Sequence, residues 1–258
     1  MERFDPACVK PHRVYFLIGR RGTGKSVLLL NLMRSLSTSI DFWLLVTPTT
    51  DTELSWRFNR DGSERAPQCC IIRYDKYDKS ILARLMAKQD RIKRRGGTPR
   101  SVAIVLDDCM YDKGSMRSEE IRQVLYNGRH SNITLLVTSQ YLMDIDAGIR
   151  VNIDYVFTFR DDTPVNVKKM REYYCGAYSA QQFQKVYHAC TEGYRCMVVD
   201  RIRQRVEWYL SPFTEDNMPP FRLCSRAIWQ LWNARGVQRR EEDDQDDAHS
   251  GVRLLEDA

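Results

Sequence analysis

Apolar positions along the chain form short continuous runs closed by turn residues, alternating with stretches whose apolar residues recur every three or four positions. Val14 to Ile18 is one such run, and Val27, Leu28, Leu30, Leu32 and Leu36 follow it at helical spacing, so a buried strand feeding a helix is predicted. Phe42 to Val46 and Cys69 to Ile72 read as further strands, the first closed by Thr47 and Pro48, with Asp61 and Gly62 marking a loop between them. Both are expected to be central strands. Asp78 to about Arg95 carries Ile81, Leu82, Leu85, Met86 and Ile92 at helical spacing, and Gly96 and Gly97 stop that helix before the strand Val102 to Leu106. Ser118 caps another helix, with Glu119 and Glu120 in its first turn and Gly128 at its end. Strands over Ile133 to Thr138 and Ile153 to Phe159 follow, separated by Asp144 to Arg150. Helices over Val165 to Tyr174 and Ala180 to Cys190, then a hairpin at one sheet edge over Cys196 to Val199 and Val206 to Leu210, complete the reading.

Strands alternating with helices argue for an α/β fold, a doubly wound and mainly parallel sheet covered on both faces. The chain has 258 residues and no visible repeat, so one domain over residues 1–240 with a short tail is expected. The core is expected to span residues 13–160, with the later helices and hairpin over 163–210. No apolar run approaches the roughly 20 residues of a bilayer span, and the first residues mix charge into each apolar stretch. The expectation is therefore a soluble, intracellular chain with neither anchor nor secretory signal. Eight cysteines without CxxC spacing and four scattered histidines suggest free, mostly buried thiols rather than a zinc site or disulfide framework.

The formal charge of +6 hides an asymmetry. Residues 241–258 hold eight acids and one base, so the preceding 240 residues carry +13. A like-charge block this poor in apolar residues cannot offset its ordering entropy, and the tail is expected to be disordered. It can serve as a solvated extension or as an acidic competitor for a polyanion on the basic body.

The chemistry is concentrated where the first strand ends. Gly19, Arg20, Arg21, Gly22, Thr23, Gly24, Lys25 and Ser26 spell GxxxxGKS between a buried strand and a helix, the context a phosphate-binding loop requires. Glycines let backbone N–H groups turn inward, Lys25 reaches the β and γ phosphates, and the Ser26 hydroxyl ligates magnesium. The motif starts at residue 19, so no accessory domain is expected before it. A second magnesium contact must come from a carboxylate at a neighbouring strand end, and Asp107 after Val102 to Leu106 is the candidate. Asp108 beside it either polarises the attacking water or caps the following turn. Gln140, after Leu135 to Thr138 and Ser139, stands at the tip of the next strand, beside the γ phosphate or merely satisfying its loop. Arg129 enters that strand at the end away from its own phosphate site. It either supplies transition-state charge to a neighbouring subunit or compensates a helix terminus. Arg20 and Arg21 are the competing candidates, acting in cis.

The stretches Ile18-GRRGTGKSVLLL, Val105-LDDCMYDK and Leu125-YNGRHSNITLLVTSQY resemble the virion DNA-packaging ATPases of nucleocytoplasmic large DNA viruses, the poxvirus and iridovirus type within the FtsK/HerA-like superfamily. The resemblance covers Arg13 to Phe159 well and extends loosely to Leu210. It implies a P-loop NTPase of the additional-strand (RecA/FtsK-like) type that binds ATP and Mg2+. It further implies a homo-oligomeric ring that drives double-stranded DNA into preformed capsids beside a capsid or portal-type protein, in the host cytoplasm or associated with the virion. The family's phosphate loop falls on Gly19 to Ser26, its Walker B pair on Asp107 and Asp108, its polar strand tip on Gln140 and its arginine finger on Arg129. Asp108 departs from the superfamily, where many motors carry Glu, and its side chain reaches one methylene less far.

Contact with DNA is expected from Arg84, Lys88, Arg91, Lys93, Arg94, Arg95 and Arg100, or from Arg195, Arg201, Arg203 and Arg205, unless these are solvated faces. Three other readings remain open. One is a phosphotransferase or small NTPase acting on a soluble substrate. A second is a nucleotide-binding assembly protein that locks into a capsid and hydrolyses slowly or not at all. The third is a HerA-like translocase partnered with a nuclease.

Overall fold

The computed structural model describes residues 1–47, 71–74, 76–109, 118–140, 142, 147–214, 216–219 and 221–234. The acidic tail, Cys69, Cys70, Asp61 and Gly62 lie outside the described residues. Eight strands form one sheet: β1 (Val14–Ile18), β2 (Phe42–Val46), β3 (Ile71–Tyr74), β4 (Val102–Asp107), β5 (Ile133–Ser139), β6 (Tyr155–Thr158), β7 (Cys196–Asp200) and β8 (Arg205–Tyr209). Their spatial order is β3-β2-β4-β5-β1-β6-β7-β8. The first six run parallel, and β7 and β8 add an antiparallel hairpin. Continuous apolar runs suit strands covered on both faces: every side chain of β1, β2, β4, β5 and β6 is buried.

The intervening helices are α1 (Lys25–Leu36), α2 (Lys79–Arg94), α3 (Glu119–Asn127), α4 (Ala147–Arg150), α5 (Pro164–Tyr174), α6 (Ala180–Cys190) and α7 (Arg226–Ala234). Local chemistry sets their ends. Asp78 accepts the Ser80 N–H at the start of α2, Ser118 caps α3, and Ser179 with Gln182 forms a capping box on α6. The crossover from β1 to β2 runs one way along the sheet, whereas those from β3 to β4 to β5 run back. Right-handed crossovers therefore put α1 on one face and α2 and α3 on the other. This divergence opens a crevice at the carboxyl ends of β1, β5 and β4, where ligands of such sheets bind. One strand, β5, lies between β1 and β4, the additional-strand arrangement.

The strand after Cys69 is not central. β3 occupies the sheet edge with only Ile72 fully buried, because strand order is decided by crossovers rather than by local hydrophobicity. Two packing elements had no counterpart in the sequence reading. Phe4 is buried among Tyr155, Phe157 and Tyr209 in edge-to-face contacts, tying the first residues to the hairpin. Helix α7 starts after Ser225, whose hydroxyl donates to Asp41 (2.5 Å) and accepts the Ile228 N–H. The described cysteines are free, and all but Cys8 are buried. No described helix is long and apolar enough to cross a membrane.

Candidate nucleotide site

Gly19 follows β1 and opens a loop that closes on Gly24, the cap of α1. Gly22 and Gly24 adopt left-handed backbone conformations, with φ of 76° and 97°, that side chains rarely tolerate. Gly19 answers a different demand: a Cβ there would lie 2.6 Å from the Thr23 hydroxyl and 2.9 Å from the Phe159 ring. The Thr23 hydroxyl donates back to the Arg20 carbonyl at 2.8 Å, tightening the loop. Lys25 and Ser26 follow in the first turn of α1, where unpaired N–H groups and the helix dipole favour anions. Arg20 is drawn sideways to Asp161 (2.7 Å) and the Thr163 hydroxyl, whereas Arg21 is exposed. Burial pulls the Asp161 carboxyl up. Hydrogen bonds from the Thr163 N–H and hydroxyl and the Asn166 amide, with the Arg20 charge, outweigh burial and hold it below the usual range.

Parallel register brings the other candidates beside the loop. Ile18 is level with Ser139, and Thr138 with Asp107, so the ends of β1, β5 and β4 form one ledge. The buried Lys25 ammonium reaches across it to both Asp108 oxygens, at 2.8 and 3.0 Å. Gln140 donates its amide to the same carboxylate at 3.2 Å. Asp108 sits at φ 47°, a conformation that turns its side chain away from the strand direction.

Asp107 is held differently. Its carboxylate accepts the Thr138 hydroxyl at 2.5 Å, and the same hydroxyl accepts the Asp108 N–H at 2.9 Å. Burial raises the Asp107 pKa and the neighbouring Asp108 charge adds to this, against the opposing pull of Thr138 and Lys25. Burial likewise pushes the adjacent Cys109 thiol up to about 12, leaving it neutral and unreactive. Thr138 escaped the sequence reading because its role rests on cross-strand register with Asp107. A hydroxyl residue two positions before the polar tip at Gln140 was the available signal.

A magnesium ion fits this donor set. It usually keeps several waters and takes one or two protein oxygens beside substrate phosphates. Asp107 has one oxygen outside the Thr138 bond, and Ser26 offers a hydroxyl in the first turn of α1. The ledge therefore unites a phosphate cradle, an ammonium, a metal-competent carboxylate and a second carboxylate with an amide beside it. Arg129 is not among them. It lies at the opposite end of β5, paired with the buried Asp154 at 2.5 Å.

Residues 3–175 match the family described as "Poxvirus A32 protein", a stretch that contains every residue of the ledge. The chain belongs to the poxvirus A32 protein family. A relative from Acanthamoeba polyphaga mimivirus is 32% identical over 211 residues, covering 75% of this chain and 70% of its own. Protein 015R of Frog virus 3 is 25% identical over 221 residues, covering 83% of this chain and 66% of its own. The genome packaging NTPase B204 of Sulfolobus turreted icosahedral virus 2, solved in complex with ATP-gammaS, has the same fold. Its TM-score is 0.58 at 16% identity, over 79% of this chain and all of that one. ATPases 2 and 3 of EssC from Geobacillus thermodenitrificans align with a TM-score of 0.53 at 12% identity, over 88% of this chain and 45% of that one. The fold of this A32-family chain is thus that of the P-loop packaging and FtsK-like NTPases.

Proposed function

We propose that this A32-family chain is an ATP-hydrolysing motor that translocates double-stranded viral DNA into preformed capsids. The observation that carries the proposal is the Lys25–Asp108–Gln140 contact. It puts a second carboxylate, beside the metal-competent Asp107, within reach of the phosphate-loop lysine. A phosphotransferase has a second substrate to supply the attacking oxygen, so it needs no such group for water. A motor that hydrolyses ATP does.

In this reading the loop backbone and Lys25 bind the β and γ phosphates, and Lys25 exchanges the Asp108 carboxylate for phosphate oxygens. Ser26 and Asp107 would hold Mg2+, which when bound would offset the charge of the phosphates. The freed Asp108 accepts a proton from a water that Gln140 orients. The water oxygen bonds to the γ phosphorus as its bond to the β–γ bridging oxygen breaks, releasing ADP and phosphate. Transition-state charge requires one more cation. Arg129 of a neighbouring subunit in a homo-oligomeric ring is our candidate, and Arg20 or Arg21 in cis is the alternative. The motor works at the virus assembly site in the host cytoplasm, against a capsid or portal-type protein.

Steady-state ATP hydrolysis with and without duplex DNA tests this proposal. Stimulation by duplex, abolished by Lys25→Ala, is expected. Titrating Arg129→Ala into wild type should depress the rate more steeply than the mutant fraction if subunits share sites. A rate indifferent to DNA and proportional to the wild-type fraction would favour the soluble-substrate enzyme.

A further inference from the structure

Parts of two basic clusters that sequence separates by about a hundred positions meet at the amino-terminal end of the sheet, opposite the nucleotide ledge. The joining contacts are continuous. Gln89 on α2 donates to the carbonyls of Arg100 (2.7 Å) and Ser131 (2.9 Å), and Lys93 donates to the Ser131 hydroxyl at 2.8 Å. The turn holding Ser131 carries Arg129, which shares the Asp154 carboxylate with Arg13 (3.7 Å). The Arg201 N–H donates to the Asp154 carbonyl (3.0 Å), and the Arg201 guanidinium donates to the Arg150 carbonyl. Arg95 is exposed where α2 ends at this same edge. Arg195 does not belong to the group. It precedes β7 at the nucleotide end, paired with Glu192 at 2.8 Å.

We infer that this end face, from Arg95 and Arg100 through Arg129 and Arg13 to Arg201, is the surface that grips the phosphate backbone of duplex DNA. This rests on the DNA-motor reading above, taken with Arg20 or Arg21 rather than Arg129 as the cation at the phosphates, since Arg129 cannot face duplex and a neighbouring nucleotide at once; it assigns the motor's DNA-contacting surface. Charge is the first argument. Two arginines share the single Asp154 carboxylate and the Arg201 guanidinium spends its hydrogen bond on a neutral carbonyl, leaving net positive charge there, whereas Arg203 is paired with Asp200 and Glu207 and Arg205 with Glu2, and neither adds to it. Extent is the second. The face crosses β4, β5, β1, β6 and β7, about 19 Å at the ordinary ~4.8 Å strand spacing, a length over which duplex presents roughly eleven phosphate charges.

Connectivity is the third argument. Arg13 leads into β1, which ends in the phosphate loop; Arg100 leads into β4, which ends in Asp107 and Asp108; Arg129 leads into β5, which ends at Gln140. Each of these cations stands at the start of a buried strand whose other end carries the nucleotide machinery. A pull on the backbone is therefore delivered along stiff elements to the atoms that sense the γ phosphate. Arginines held through backbone and carboxylate contacts carry affinity without reading bases, as indiscriminate transport of a genome demands.

Binding of a fluorescent random-sequence duplex, followed by anisotropy at several salt concentrations without nucleotide, tests the inference on the full chain. Arg95→Glu, Arg100→Glu and Arg201→Glu, singly and combined, are compared with Arg195→Glu. The combined variant should lose ~100-fold in affinity at low salt. Its log–log salt slope should fall by roughly 0.9 for each phosphate contact removed. The corresponding lysine substitutions should keep most binding, and unchanged melting and ATP-analogue affinity would exclude misfolding. Arg195→Glu should stay within about twofold of wild type, a uniform backbone contribution being absent there. Wild type that binds duplex while the combined variant binds equally well overturns this surface alone. Wild type that fails to bind duplex at low salt overturns the DNA-motor reading, and the surface with it.

Discussion

Lys25 of the phosphate loop and Asp108 of the β4 edge form a two-point ion pair, at 2.8 and 3.0 Å, with the lysine almost entirely buried. In the proposed reaction Lys25 takes up phosphate and Asp108 a proton, so ATP binding is expected to separate the pair and release Asp108. Asp108→Asn removes the competing charge and the base together. Affinity for a non-hydrolysable ATP analogue should hold or rise a few-fold, while single-turnover hydrolysis falls ~100-fold or more, the usual worth of a positioned base. Isothermal titration with quenched-flow assays checks both. Weaker binding with intact hydrolysis would assign Asp108 to structure.

Thr138 ties the Asp107 carboxylate to the Asp108 backbone, donating to the first and accepting the N–H of the second through one fully buried hydroxyl. Thr138→Val keeps the volume and strands both partners, a loss of about 1–3 kcal/mol for each buried group left unsatisfied. Urea unfolding should show that loss, and Thr138→Ser should recover most of it. Half-saturating Mg2+ for hydrolysis should rise in the Val variant. An unchanged Mg2+ requirement would separate Thr138 from the metal-competent carboxylate.

Burial raises the Asp107 pKa above its ordinary 3.8, so the folded chain holds this proton more tightly than the unfolded one. Its contribution to stability is therefore greatest at low pH and diminishes as pH rises through the folded pKa. Asp107→Asn cannot ionise. Its unfolding midpoint relative to wild type should improve from about pH 4 to about pH 7, even as hydrolysis is lost. A difference that is flat across that range would contradict the raised pKa.

Gly19 has no room for a side chain, a Cβ there meeting Thr23 at 2.6 Å and the Phe159 ring at 2.9 Å. Gly19→Ala should displace the phosphate loop and weaken ATP-analogue binding at least ~10-fold, with a modest change in melting temperature. Gly176→Ala, where a Cβ meets nothing, should do neither.

Most of the sheet was legible because buried parallel strands and capped helices leave strong local patterns. Val14 to Ile18 and Phe42 to Val46 match their strands end to end, and Asp78 and Ser118 cap the helices their sequence predicts. What was illegible depends on order and register. The apolar run before Arg73 gave no sign that β3 lies at an edge. Thr138 acquires its role only beside Asp107, and the split of Arg195 from Arg201 follows from the antiparallel turn of β7. Helix α7 left a readable trace, Ser225 followed by Ile228, Trp229 and Leu231, in a region poor in flanking signals. The GxxxxGKS loop was clear because its chemistry is contiguous, whereas the ledge opposite it is assembled from two strands.

The proposed motor requires that ATP hydrolysis on this ledge move duplex DNA. Displacement of a fluorescent third strand from a DNA triplex measures that movement directly. Wild-type chain with ATP and Mg2+ should strip the third strand, and Lys25→Ala, Asp108→Asn and a non-hydrolysable analogue should each leave it bound. Steady ATP hydrolysis without any displacement would contradict the motor and leave an NTPase of another kind.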